Sequence, residues 1–276
     1  MKIGFIDYYL DEWHANNYPA WIREASHGDA EVAFAYGMID SPLSGMTTVE
    51  WCAKFGITPC TTIEELIEKS DVLIVLSPDN CEMHEQLCQL PLRSGKPTYV
   101  DKTFAPDAQT AKRIFAIAEE HGTPCYSSSA LRFAEEYRDI DSKNVKAVSC
   151  WGPSNFETYS IHQLEPLMML MKVPAKRVMY LPSEGWLTLA VEFTDGRAGT
   201  ITQFAEGSPF VTNVCSEGGN KLVTIESDFF IAFIREMLDF FYTKEEKVPH
   251  VDTIAIMAVR EAGLKAQNCP GEWVIV

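Results

Sequence analysis

Two places in this 276-residue chain combine residue types that can move protons. The first is Asp101-Lys102. A short strand-like run, Thr98-Tyr99-Val100, ends in this pair, and Thr103-Phe104-Ala105-Pro106 turns the chain into a predicted helix. That helix repeats Ala108, Ala111, Ile114, Phe115 and Ala118 on one face and stops at Gly122. Ligands of open α/β sheets bind beyond the carboxyl ends of the strands, so Lys102 is expected to point into a crevice. There, lost hydration disfavours its ammonium and lets it trade a proton. The second place is His162, with Glu165 one turn later on a predicted helix. An imidazole titrates near neutrality. Glu165 has two readings: it orients that imidazole or bonds a ligand hydroxyl, or it is an acid at a helix start, favoured by the dipole.

These residues need a scaffold, and the first half of the chain reads as one. Strand-like runs at Lys2–Ile6, Glu31–Tyr36, Asp71–Leu76, before Lys102 and at Pro124–Ser127 alternate with helical patterns. Such βα alternation predicts a parallel, doubly wound, Rossmann-like sheet. Thr62-Ile63-Glu64-Glu65 has the form of a capping box. From Val145 the pattern changes to consecutive strands, Val145–Trp151, Val178–Leu181, Trp186–Phe193, Ala198–Phe204, Val211–Ser216 and Lys221–Glu226. Asp195-Gly196 and Gly218-Gly219 mark hairpins between them. A helix over Ile161–Met171 is expected against one face of this mostly antiparallel, open-faced sheet, with Met168, Met169 and Met171 as core filler. Helices over Asp228–Tyr242 and Val251–Asn268 follow. The predicted fold class is therefore α/β, a Rossmann-like domain over 1–130 followed by an α+β domain over 131–276. The last helix of the chain is a candidate to pack back on the first domain.

A dinucleotide-binding sheet carries G-x-G-x-x-G after its first strand, so that backbone can approach a diphosphate. Here Ile6 is followed by Asp7-Tyr8-Tyr9-Leu10-Asp11-Glu12-Trp13-His14. Asp7, Asp11 and Glu12 are expected to repel phosphate where a helix N-terminus should attract it. Ala35-Tyr36-Gly37 stands where an acid would bond a ribose hydroxyl.

In spite of that loop, the chain resembles the glucose-fructose oxidoreductase and inositol dehydrogenase family (Gfo/Idh/MocA) over nearly its full length. Asp71 to Leu76 with Ser77-Pro78 and His84 is similar to the family's D-x-v-x-i-x-T-P…H segment. Asp101-Lys102-Thr103 sits at its E-K-P motif, Leu131-Arg132-Phe133 at its R-F, and His162-Gln163-Leu164-Glu165 at its H-x-x-D. The family's aspartate four residues before the histidine is Thr158 here, with Glu157 one place off. The resemblance implies an oxidoreductase acting on a sugar, polyol or related hydroxy compound, with Lys102, His162 and Glu165 as catalytic residues. It implies NAD or NADP held along Ile6, Asp7, Tyr36, Ser77, Pro78, His84 and Asp101. It also implies a homo-oligomer, dimer or tetramer, formed through the open sheet face. The degenerate loop after Ile6 supports the competing expectation, a non-redox relative that binds a small carbohydrate or metabolite as a sensor or accessory protein.

The remaining polar residues are read as structural. Asn16 and Asn17 are expected to cap the first helix, His84 to pack or hydrogen-bond at the sheet's edge, and His27, His121 and His250 to lie on the surface. Ser127-Ser128-Ser129 either lines the crevice or forms a turn. His14, His84, His162 and Glu165 have no metal-ligand spacing, so no metal is expected. A net charge of −16 argues against nucleic acid and anionic membranes as partners. No apolar run approaches the ~20 residues needed to span a bilayer. Eight scattered cysteines and a first strand that begins at Lys2 lead to the expectation of a cytoplasmic protein with reduced thiols and no signal peptide.

Overall fold

The computed structural model describes residues 1–140 and 144–276. By its contacts the chain forms two units, Met1–Ser128 with Phe233–His250, and Ser129–Ala232 with Val251–Val276. Sequence patterning placed one boundary at 130 and offered the last helix as the returning element. The contacts instead group Phe233–His250 with the first unit and the last helix with the second.

The first unit alternates β1 (Lys2–Asp7), α1 (Trp13–Ala25), β2 (Glu31–Gly37), α2 (Thr48–Phe55), β3 (Thr58–Pro59), α3 (Ile63–Lys69), β4 (Val72–Val75), α4 (His84–Leu87), β5 (Thr98–Val100), α5 (Ala108–His121) and β6 (Cys125–Tyr126). The strands form one parallel sheet in the order β3-β2-β1-β4-β5-β6, as expected of a doubly wound fold. The order reverses between β1 and β4, so the crevice lies beyond Asp7 and Val75. β4 and β5 are buried on both faces, which is why they read as unbroken apolar runs. Gly4 is required where α3 crosses β1, because a Cβ there would overlap Ser70 Oγ and Leu66.

Helix ends follow local capping chemistry. In α5, Asp107 accepts Thr110 N–H at 2.7 Å and Gly122 closes the helix at φ 62°. Ile114 and Phe115 on its inner face are fully buried, each contributing about 2–3 kcal/mol. The capping box predicted at Thr62 is half formed. Thr62 accepts Glu65 N–H, but the Glu65 carboxylate takes Thr61 N–H at 2.9 Å and Lys69 at 2.6 Å. The complete box is at Thr47 and Glu50, at the start of α2.

The second unit holds β7 (Val145–Pro153), α6 (Phe156–Met171), β8 (Ala175–Ser183), β9 (Trp186–Phe193), β10 (Ala198–Phe204), β11 (Val211–Ser216) and β12 (Gly219–Thr224). After α7 (Phe229–Thr243), which runs into the segment grouped with the first unit, come α8 (His250–Ala266) and β13 (Trp273–Ile275). The sheet order is β12-β11-β7-β10-β9-β8-β13; it is antiparallel except for the β7–β10 pair. The hairpin read at Asp195-Gly196 joins β9 and β10, with Gly196 at φ 87°. Sequence patterning missed β13, a three-residue strand pairing with β8.

One face of this sheet buries Val148, Cys150, Leu189, Val191 and Ile201. The other carries the exposed Trp151, Leu181, Trp186 and Phe204. Met168 and Met171 are buried on α6, and Met169 packs on a small core of Leu131, Ala134 and Tyr137. The eight cysteines are all free. Among the described residues no helix is long and apolar enough to cross a membrane.

Candidate functional site

At the carboxyl end of β5, Asp101 is fully buried. Its Oδ2 is hydrogen-bonded to His14 Nδ1, and its Oδ1 accepts Lys102 N–H at 2.8 Å and the Tyr99 hydroxyl at 3.2 Å. Burial by itself would raise this carboxyl's pKa. The charge and hydrogen bond of His14, followed by Lys102, outweigh it and hold Asp101 below the usual aspartate range. His14 stacks on Tyr18, ring centroids 5.1 Å apart. Lys102 is buried at 9% exposure, and no ion pair of its side chain occurs among the described residues. The peptide between Lys102 and Thr103 is cis.

His84 clamps this turn from below. Its ring is fully buried, with Nδ1 2.9 Å from Phe104 O and Nε2 2.6 Å from Leu76 O, tying the end of β4 to the turn after Lys102. Burial lowers its pKa below the ordinary histidine value. A neutral ring has one N–H, so it donates to one of these carbonyls at a time. Its packing role follows the sequence expectation.

Beyond β1 the structure revises the sequence reading. Asp7 is 1% exposed, and burial, then repulsion from Glu12, raise its pKa well above the ordinary value. Glu12 is pushed up to about 8 by burial, although the Ala15 and His14 amides and Lys102 pull the other way. Only Asp11, hydrogen-bonded by Ser44 at 2.6 Å and Asn16 at 3.1 Å, is held low. Burial and mutual repulsion thus work against charge on Asp7 and Glu12, and the repulsion of acids is not all that closes the loop to phosphate. Side chains fill it. Tyr9 and Leu10 are buried, and the Glu12 carboxylate itself caps α1, accepting His14 N–H at 2.6 Å and Ala15 N–H.

Asn16 and Asn17 are not the caps. Asn16 bridges Asp11 and Trp51 Nε1, and Asn17 bonds Trp13 O at 2.7 Å. Ile6 is fully buried and faces Tyr36 across the β1–β2 ladder. The carbonyls of Asp7 and Tyr8 are used by Met38 and Ile39 N–H. Ser77, before the buried Pro78, sits at φ 92°, a strained conformation for a residue with a Cβ. Its Oγ and Asp7 Oδ2 are both buried without a hydrogen-bond partner.

In the second unit, α6 starts at an Asn155 cap rather than at Ile161, so His162 and Glu165 lie mid-helix. Glu165 is not a helix-start acid. Its Oε1 pairs with Arg132 at 2.7 Å and its Oε2 accepts Ser129 N–H at 3.3 Å. Arg132 also reaches Asp252 at 3.4 Å. The His162 ring bonds Ser129 Oγ at 2.8 Å through Nδ1 and lies between Tyr159 and Phe210. Thr158 bonds Asn155, while Glu157 is exposed and offers its backbone carbonyl to Arg260 at 2.8 Å. Ser129, read from sequence as crevice lining or a turn, and Arg132, read only as part of the Arg-Phe pair, are the neighbours that hold these two side chains.

His250 is no surface residue. It stacks on Phe115 with centroids 3.9 Å apart and pairs with Glu119 at 3.0 Å and Glu246 at 3.3 Å. Burial opposes its charge, but those carboxylates raise it to about 9. Among the described residues no group of three or more His, Cys, Asp or Glu could hold a metal ion.

Residues 25–129 match the family model described as "Oxidoreductase family, NAD-binding Rossmann fold". Over 69 residues the chain is 33% identical to a dTDP-3,4-didehydro-2,6-dideoxy-alpha-D-glucose 3-reductase of Actinomadura kijaniata. That match spans 25% of this chain and 21% of the relative's length. The crystal structure of GenD2 from gentamicin A biosynthesis in complex with NAD superposes at a TM-score of 0.77 with 14% identity, covering 100% of this chain and 96% of that one. Scyllo-inositol dehydrogenase from Lactobacillus casei with bound NAD(H) and scyllo-inositol gives 0.78 with 13% identity, covering 99% and 98%.

The chain is thus similar to the Gfo/Idh/MocA oxidoreductases in motif order, in the family-model match over 25–129 and in its two-sheet architecture. The family match begins at the end of α1, after the loop from Asp7 to His14. That loop, filled by Tyr9, Leu10 and Glu12, does not fit a dinucleotide diphosphate as it stands.

Proposed function

We propose that this protein is an oxidoreductase acting on a sugar, polyol or related small hydroxy compound, with NAD or NADP as its cofactor; the matched family model, described as NAD-binding, supports the dinucleotide. The observation that carries this reading is a buried lysine at the carboxyl end of an inner parallel strand, beside a buried, charge-supported carboxylate. Lys102 is assigned proton transfer at a substrate hydroxyl. His162, bonded to Ser129 in its own unit, is assigned the second proton-transfer role. Glu165 is assigned a positioning role, because it is held by Arg132 and the Ser129 amide. The exposed Trp151, Leu181, Trp186 and Phe204 support a homo-oligomer through the open sheet face, and cytoplasmic residence goes with this reading.

A second reading is favoured by one observation, the Glu12 cap in the place of a phosphate. On it the protein binds a small carbohydrate or metabolite without redox chemistry. Calorimetric titration with NAD(H) and NADP(H) separates the two. Binding of one dinucleotide, with turnover lost in Lys102→Ala while binding persists, supports the oxidoreductase. Absence of binding at millimolar concentration leaves the second reading.

A further inference from the structure

The amide groups at the start of α1 are where a doubly wound sheet seats the diphosphate of a dinucleotide, because unpaired N–H groups and the helix dipole converge there. In this chain two of those amides, of His14 and Ala15, are already taken by the Glu12 carboxylate. Glu12 is 7% exposed, and its own N–H bonds Leu10 O at 2.9 Å, which folds the loop tightly over the helix end. A carboxylate presents two oxygens to such amides much as a phosphate does. We propose that Glu12 is an internal plug in the diphosphate seat, and that a dinucleotide enters only by displacing it. This rests on the oxidoreductase reading and adds a means of regulating the same site.

A second observation points to a ligand at that spot. Asp7 Oδ2 and Ser77 Oγ, on residues 1% and 3% exposed, are buried without partners at the carboxyl ends of β1 and β4. These are the neighbouring strands between which the sheet order reverses; Leu76 N–H bonds Ile6 O at 2.8 Å across them. Unmet polar atoms of this kind are costly unless something fills the space. Asp7 also lies within the field of Glu12, whose charge is the main cause after burial of its raised pKa. Movement of Glu12 away from α1 would relieve that repulsion and uncover the His14 and Ala15 amides together.

The test is calorimetric titration of the full chain and its Glu12→Gly and Glu12→Ser variants with NADH and, separately, inorganic pyrophosphate. Serine is a preferred helix cap, so that variant stays folded if the glycine variant does not; circular dichroism melts check both. A gain of at least tenfold in affinity for both probes is the expected result. A gain for pyrophosphate without any NADH binding keeps the plug and sinks the oxidoreductase reading. Equal NADH affinity in wild type and variants overturns the plug and leaves that reading standing. No gain for either probe, with no NADH binding by any form, overturns both.

Discussion

His14 Nδ1 and Asp101 Oδ2, 87 positions apart in sequence, are hydrogen-bonded in the interior of the first unit. The bond fixes the start of α1 to the end of β5 and supplies the countercharge that Asp101 needs beside Lys102. Removing one partner strands the other. His14→Phe, which keeps the stack on Tyr18, is expected to destabilise the protein by about 3 kcal/mol because the buried carboxylate loses its main supporting partner. Adding Asp101→Leu should recover part of that loss. Urea melts of the two single variants and the double variant measure the coupling, and strict additivity would count against the pairing.

Stability should fall as pH rises above neutrality. Glu12 has an ordinary value near 4.5 that folding raises to about 8, and His250 goes from 6.5 to about 9. In both cases the folded state binds the proton more tightly. Each contribution is complete below the unfolded pKa and is lost as pH climbs through the folded one. The windows overlap between pH 6.5 and 8, where each group contributes a slope of up to about 1.4 kcal/mol per pH unit. Thermal melts from pH 5 to 9 should show the decline, and Glu12→Gln should flatten it.

Lys102→Met should leave the melting temperature within a few degrees of wild type, since a buried ammonium is exchanged for an apolar chain of similar length. Turnover with any substrate found should drop about 10²-fold or more. Full activity in this variant would remove Lys102 from the chemistry.

Glu165→Ala deprives the Arg132 guanidinium of its 2.7 Å partner and leaves it with the half-buried Asp252 at 3.4 Å. A loss of about 2–4 kcal/mol is expected by chemical denaturation. On the positioning role proposed for Glu165, Glu165→Gln should alter the pH profile of activity rather than abolish turnover. An activity loss as deep as that of Lys102→Met would instead make it a catalytic residue.

The parallel sheet was legible because buried strands such as Val72–Val75 and amphipathic helices such as α5 declare themselves in their own residues. The Lys102 position was legible for the same reason, being set by one strand end and one turn. Capping was less so. Glu12, six residues from the first strand's interior, reads as a repelling acid until the fold buries it and points it at the His14 and Ala15 amides. The start of α6 was misplaced because Pro166 and the mixed run from Phe156 to Ser160 blur the helical period, although Asn155 is an ordinary cap.

Sequence alone therefore determined the α/β class, the parallel pairing of the first sheet and the lysine at the end of β5, all of which follow from local periodicity and turn chemistry. The Asp7 to Glu12 stretch likewise announced, by lacking glycines, that its loop departs from a dinucleotide cradle. Only the tertiary structure decided in which direction each acid's pKa moves, because that depends on burial and on partners distant in the chain. It alone paired Asp101 with His14 and Glu165 with Arg132, and it alone set Glu12 on the helix amides. The first two contacts join residues from separate elements, and no spacing along the chain encodes their distances; the Glu12 cap is local, but its burial comes from the fold around it.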